Sequence, residues 1–133
     1  MLQRAYVMPH PPIILPEVGR GEEKKIHSTF DAMERAAREI ADIKPDLIVL
    51  SSPHAPSYRD GFFLAGGEGA TGDLSRFGIS RSELSMIVQY DQTFAKELRA
   101  TFQDLPFFSP EADSRQLDHG SLIPLRFIQN HYA

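Results

Sequence analysis

The chain has 133 residues, 41% of them hydrophobic and 24% charged, with a net charge of −4. That length is one domain, spanning residues 1–133, with enough residues to bury a core. The composition excludes a basic nucleic-acid stripe, and no apolar run approaches the ~18 residues of a membrane span. Cysteine is absent, which excludes disulfides, thiolate metal sites and a thiol nucleophile. The opening MLQRAYVMPHPP lacks the apolar core and cleavage site of a signal peptide. A cytoplasmic protein with neither a nucleic-acid nor a membrane partner is the expectation.

Residues 4–9 (RAYVMP) read as a short buried strand with His10 at its carboxyl end. The following PPIILPE is stiff, because proline fixes φ and holds the preceding residue extended. Glu22 to about Ile43 reads as a helix. Ile26, Phe30, Met33, Ala37 and Ile40 recur at spacings of three and four and form one apolar face. Asp31/Arg35 and Glu34/Arg38 are i,i+4 pairs on the wet side, and Lys44-Pro45 stops the helix.

Asp46–Ser52 (DLIVLSS) is a continuous apolar run between prolines, as in a strand covered on both faces. Strand, helix and strand across residues 4–52 form a predicted βαβ unit. In open sheets built from such units, ligands bind beyond the carboxyl ends of the strands, and His10 and His54 both fall there. Phe62–Ala65 is a possible short strand, and Gly66–Gly78 reads as a glycine-rich loop or pocket wall. Leu84–Gln89 is a further strand. Asp91 can cap a helix carrying Phe94, Leu98, Phe102 and Leu105. Leu105–Phe108 is a candidate strand and Pro110–Gln116 a polar loop. Ser121–His131 is helical, with Pro124 in its first turn. The fold class is α/β, with a largely parallel central sheet flanked by helices on both faces. Leu125 and Ile128 of the last helix need cover, so the sequence reads as the front part of a larger domain.

Five histidines are present, and three stand in unusual settings. His10 and His54 each follow a predicted strand and are flanked by prolines, and His119 sits just before a predicted helix. His27 and His131 fall in helical patterns with ordinary neighbours. Histidine is the commonest metal ligand and titrates near neutrality. Two imidazoles and a carboxylate on one face of Fe(II) leave positions open for substrate and O₂. The residues alone equally allow each histidine to pack in a proline-rich turn. A helix start favours a neutral His119 able to take a proton, yet Asp118 can also be a plain cap with His119 incidental. The glycine-rich stretch lacks the GK[ST] ending of a P-loop, and no GxSxG or HExxH is present.

Four blocks, MPHPPIILPEVGRGE, SSPHAP, GDLSRFG and LDHGSLIPL, occur here in the order seen in the class III extradiol dioxygenase B-subunit (LigB-like) family, which the chain resembles over nearly its whole length. Within it, the closest likeness is to the LigB-like domain of the AmmeMemoRadiSam system proteins. The resemblance implies the N-terminal part of a LigB-like fold and a non-haem Fe(II) centre that opens a catechol-type ring with O₂. It implies that His10 and His54 bind the metal and that His119 is the acid/base. The family's third ligand is a carboxylate beyond the DHG motif, with no matching position here. Glu17, Glu68, Asp73 and Asp91 are candidate replacements that spacing does not separate. Three readings follow: the dioxygenase, an inactive metal-binding or homo-oligomeric interaction module, and a Zn(II)-dependent hydrolase on the same histidines.

Overall fold

The computed structural model describes residues 1–108 and 116–132. It is a mixed helix-and-strand fold. A 3₁₀ turn at Pro12–Ile14 leads into the short helix α1 (Pro16–Gly19). A second 3₁₀ turn, Glu22–Ile26, runs into the long helix α2 (His27–Ile43). Met33, Ala37 and Ile40 of α2 are buried as the periodicity predicts, with Ile26 and Phe30 packed at the edge of the same cluster. Lys44 ends α2 in the left-handed region (φ 50°), its N–H reaching the carbonyls of Ile40 and Ala41. Pro45 disfavours a helical residue before it, which accounts for the stop. Of the two predicted ion pairs, Glu34–Arg38 forms at 3.5 Å, whereas Asp31 faces His27 at 3.3 Å.

Two short ladders follow. Strand β1 (Phe62–Phe63) pairs in parallel with β4 (Phe107–Phe108), and β2 (Gly69–Asp73) pairs antiparallel with β3 (Ser85–Gln89). Helix α3 (Gln92–Thr101) lies between β3 and β4 in sequence, and Asp91 caps it by accepting the Phe94 N–H. Its Phe94 and Leu98 are half-buried, but Phe102 and Leu105 are exposed. Helix α4 (His119–Gln129) closes the described chain and packs against α2, with Phe30 and Phe127 edge to face at 5.3 Å. The core joins Ile14, Met33, Leu74, Leu122, Ile123 and Phe127. Among the described residues, no helix is long and apolar enough to cross a membrane.

Several expectations are corrected. Residues 4–9 and 46–52 join no ladder among the described residues, so the predicted βαβ unit is not closed. Residues 4–10 still alternate as a strand does: Tyr6, Met8 and His10 turn inward, while Ala5, Val7 and Pro9 are exposed. Leu47–Leu50 are all exposed, Val49 by 71%. A both-face strand needs neighbours on two edges and cover on two faces, and α2 spends its apolar stripe on α4 instead. The ladders are two separate pairs rather than one largely parallel sheet.

The glycine-rich segment is not a simple loop, since Gly69–Asp73 is strand β2 and Ser75–Phe77 a 3₁₀ turn. Partner strands override low β-propensity here. A Cβ at Gly72 would lie 2.7 Å from the Leu117 carbonyl oxygen, so the bare glycine admits residues 116–118 beside β2. Helix α4 begins two residues before its predicted start, which places Pro124 inside the helix rather than in its first turn. The predicted polar loop at 110–116 lies outside the described residues except for Gln116.

Phe127 is 2% exposed at the α2–α4 contact. Phe127→Ala should therefore lower unfolding stability by about 3–5 kcal/mol, measured by urea titration. A loss below about 1 kcal/mol would mean that this contact does not hold the helices together.

Candidate metal centre

The three singled-out histidines come together. His10 Nε2 and His54 Nε2 are 3.0 Å apart. His119 closes the group, its ring centroid 4.0 Å from His54 and 5.8 Å from His10. One ring nitrogen from each of the three lies within 4.8 Å of the others. His27 and His131 sit elsewhere: His27 faces Asp31, and His131 contacts Glu34 at 2.8 Å.

Each histidine is delivered by a different device. The inward turn of alternate residues at 6, 8 and 10 carries His10 toward the core before the prolines at 11 and 12. His54 lies in the Pro53 turn, and its backbone N–H donates to Ser52 Oγ at 3.3 Å. His119 is the first residue of α4. Its position depends on Asp118, which caps the helix by accepting the Ser121 N–H (3.1 Å) and hydroxyl (3.0 Å). Asp118 also accepts the Ser52 hydroxyl at 2.6 Å. The Asp118 cap is formed, with His119 as the first residue after it.

Burial of the His119 ring lowers its pKa from the ordinary imidazole value, and the neighbouring His54 and His10 lower it further against the opposing pull of Asp118. Burial works against the Asp118 carboxylate, but hydrogen bonds from Ser52, Ser121 and Gly120 outweigh it and hold its pKa below the usual range. Phe77 stands edge-on to His119 with centroids 5.2 Å apart and is 39% exposed, so an aromatic face borders the cluster.

The donor set fits a borderline divalent ion. Two nitrogens bound about 2.1 Å from one ion at a right angle are about 3.0 Å apart, which is the His10–His54 separation. Among the described residues no carboxylate joins the three imidazoles. Of the candidate replacements, Glu17 faces Arg126, Asp73 pairs with Arg81 and Asp91 caps α3. Sequence reasoning passed over Ser52, Phe77 and Gly120, although all three lie inside the blocks SSPHAP, GDLSRFG and LDHGSLIPL. Small or singly placed residues carry no periodic signal of their own.

Both lowered pKa values give the same sign of acid sensitivity. A group with a depressed folded pKa contributes stability above its unfolded pKa and loses it as pH falls through the folded one. For metal-free protein, stability should fall as pH drops below about 6.5 through His119, and again below about 3.9 through Asp118. The His119 ring resonances, followed by NMR, should titrate with a midpoint below about 6.5. A midpoint at or above that value would contradict the electrostatics described here.

Comparison with known proteins adds the family. Residues 4–133 match the family described as the catalytic LigB subunit of aromatic ring-opening dioxygenase. Protein CA_C1420 of Clostridium acetobutylicum is 31% identical over 134 aligned positions, covering 96% of this chain. The chain spans only 29% of that relative's length. No solved structure matches. With nearly all of its residues matched to one family, this chain belongs to the LigB family of aromatic ring-opening dioxygenase catalytic subunits.

Proposed function

We propose that the chain carries the metal end of an extradiol-type dioxygenase site. In this reading His10 and His54 are the ligands of Fe(II) and His119 is the acid/base. The observation that carries the reading is the 3.0 Å approach of two imidazole nitrogens with a third imidazole beside them. Iron(II), when bound, would bring both oxygens of a catechol-type substrate and O₂ to one ion and supply the electron path between them.

The protein's own groups do the rest. His10 and His54 would hold the ion through their ring nitrogens. His119 is held neutral by burial and its neighbours. It accepts one hydroxyl proton from the substrate at a ring nitrogen and returns it as the ring opens. Phe77 is an apolar neighbour of His119, which suits a flat aromatic ring.

A second reading uses zinc. A set of three imidazoles is also the donor set of some catalytic zinc sites, which hold a reactive water in the fourth position. Metal identity separates the two, because zinc takes no part in the redox step.

We place the chain in the cytoplasm, where a reducing environment suits ferrous iron. The exposed apolar residues Leu47–Leu50 form an uncovered patch, which a second copy would cover in a homo-oligomer. Sedimentation should then show a species heavier than the 14.9 kDa chain, reduced to monomer by Val49→Lys. A monomer at every concentration would contradict that assembly.

The function is tested by anaerobic Fe(II) binding followed by catechol and O₂. Wild type should bind about one iron, the His10→Ala/His54→Ala variant none. His119→Ala should keep the iron but lose about 10²–10⁴-fold in ring cleavage. Iron binding with no loss of turnover in His119→Ala would remove the acid/base role. Tight zinc with no ring cleavage by the iron form would favour the hydrolase.

A further inference from the structure

We infer that Ser52 and Asp118 form a brace that positions the His54 imidazole against His119, and that Gly120 is the gap through which the two approach. The role in metal binding rests on the reading of His10 and His54 as ligands; the brace itself does not. The segment between Pro45 and Gly61 joins no ladder and carries His54 at its turn. Among the described residues it is tied to the rest of the protein through side chains. Ser52 donates its hydroxyl to Asp118 at 2.6 Å, His54 meets His10 and His119, and Tyr58 stacks on Phe108 at 4.3 Å.

Asp118 is the fixed end of the brace. Leu117 N–H donates to the Thr71 carbonyl at 2.9 Å, and Thr71 and Gln116 form a parallel bridge, so residues 116–117 are tied to β2. On its other side Asp118 caps α4, whose Ser121, Leu122 and Ile123 are buried. Ser52 is the adjustable end. Its oxygen donates toward Asp118 and accepts the His54 backbone N–H at 3.3 Å. One hydroxyl thus couples the backbone of one proposed ligand to the helix start that carries the proposed base.

Gly120 shows how closely these parts meet. A Cβ there would stand 2.6 Å from Ser52 Oγ, 2.9 Å from the Asp118 carboxylate and 2.9 Å from His54 Cδ2. Alanine at this position would improve helix propensity while forcing the brace apart. The positioning role is therefore read at the His54 amide and in metal affinity, which a loss of helix stability alone would not move selectively.

Amide hydrogen exchange on metal-free protein and Co²⁺ titration of the same samples test this together. In Ser52→Ala the His54 amide should exchange at least about 10-fold faster, with the melting temperature little changed. Co²⁺ affinity should fall about 10–100-fold, as for lost partners of metal ligands, with an altered cobalt absorption spectrum. Gly120→Ala should give the same two losses, and Ser52→Thr, which keeps the hydroxyl, should restore both. Unchanged His54 exchange in Ser52→Ala and Gly120→Ala would overturn the brace whatever the metal result. Faster exchange in a protein whose wild type binds no Co²⁺ would uphold the brace and remove the metal reading instead.

Discussion

Helix α4 is the most deeply seated element of the described chain. Seven of its eleven residues are buried, including Leu122, Ile123 and Phe127. One side packs on α2 and its first turns meet β2. That burial fixes where the helix begins, and the beginning is where the chemistry lies. His119 is the first residue of α4, Asp118 is its cap, and Gly120 is the second residue, with no side chain. A shift of one residue in this helix would swing His119 about 100° around its axis and out of the cluster.

The other two histidines arrive on segments with little regular structure. His10 follows a run of alternating inward side chains and is then stiffened by prolines. His54 sits on a turn held by Ser52 and by ring contacts. Such a site is open to solvent on one side: His54 is exposed, while His10 and His119 are half-buried. That gradient leaves one side of the cluster open while burial lowers the pKa of His119. The Nε2 atoms of His10 and His54 are 3.0 Å apart. The His119 ring lies closest to His54, at 4.0 Å between centroids, with Phe77 a further neighbour at 5.2 Å.

Much of this was legible in the sequence, for identifiable reasons. Helix α2 follows its apolar periodicity, with Met33, Ala37 and Ile40 buried. Helix α3 starts at its predicted cap, Asp91 accepting the Phe94 N–H, whereas its expected apolar partners Phe102 and Leu105 are exposed. The histidine cluster was legible because prolines and apolar runs marked two of its members and the DHG block marked the third. Strands at 4–9 and 46–52 were not correctly readable. DLIVL reports a preference for burial, but a ladder also needs a partner, which hydrophobicity does not name. Strand β2 was hidden for the opposite reason. Glycines at 69 and 72 suppress the local signal, while pairing with β3 and the close approach of Leu117 supply the structure. Ser52 was invisible because its meaning comes from Asp118, distant in sequence and 2.6 Å away in space.

The central claim is that His10 and His54 hold one metal ion with His119 beside it. It is tested most directly by anomalous diffraction at the iron edge from crystals grown anaerobically with Fe(II). The account predicts one strong peak about 2.1 Å from the Nε2 atoms of both His10 and His54. A peak elsewhere, or histidines still 3.0 Å apart in these crystals with no ion on them, would contradict it.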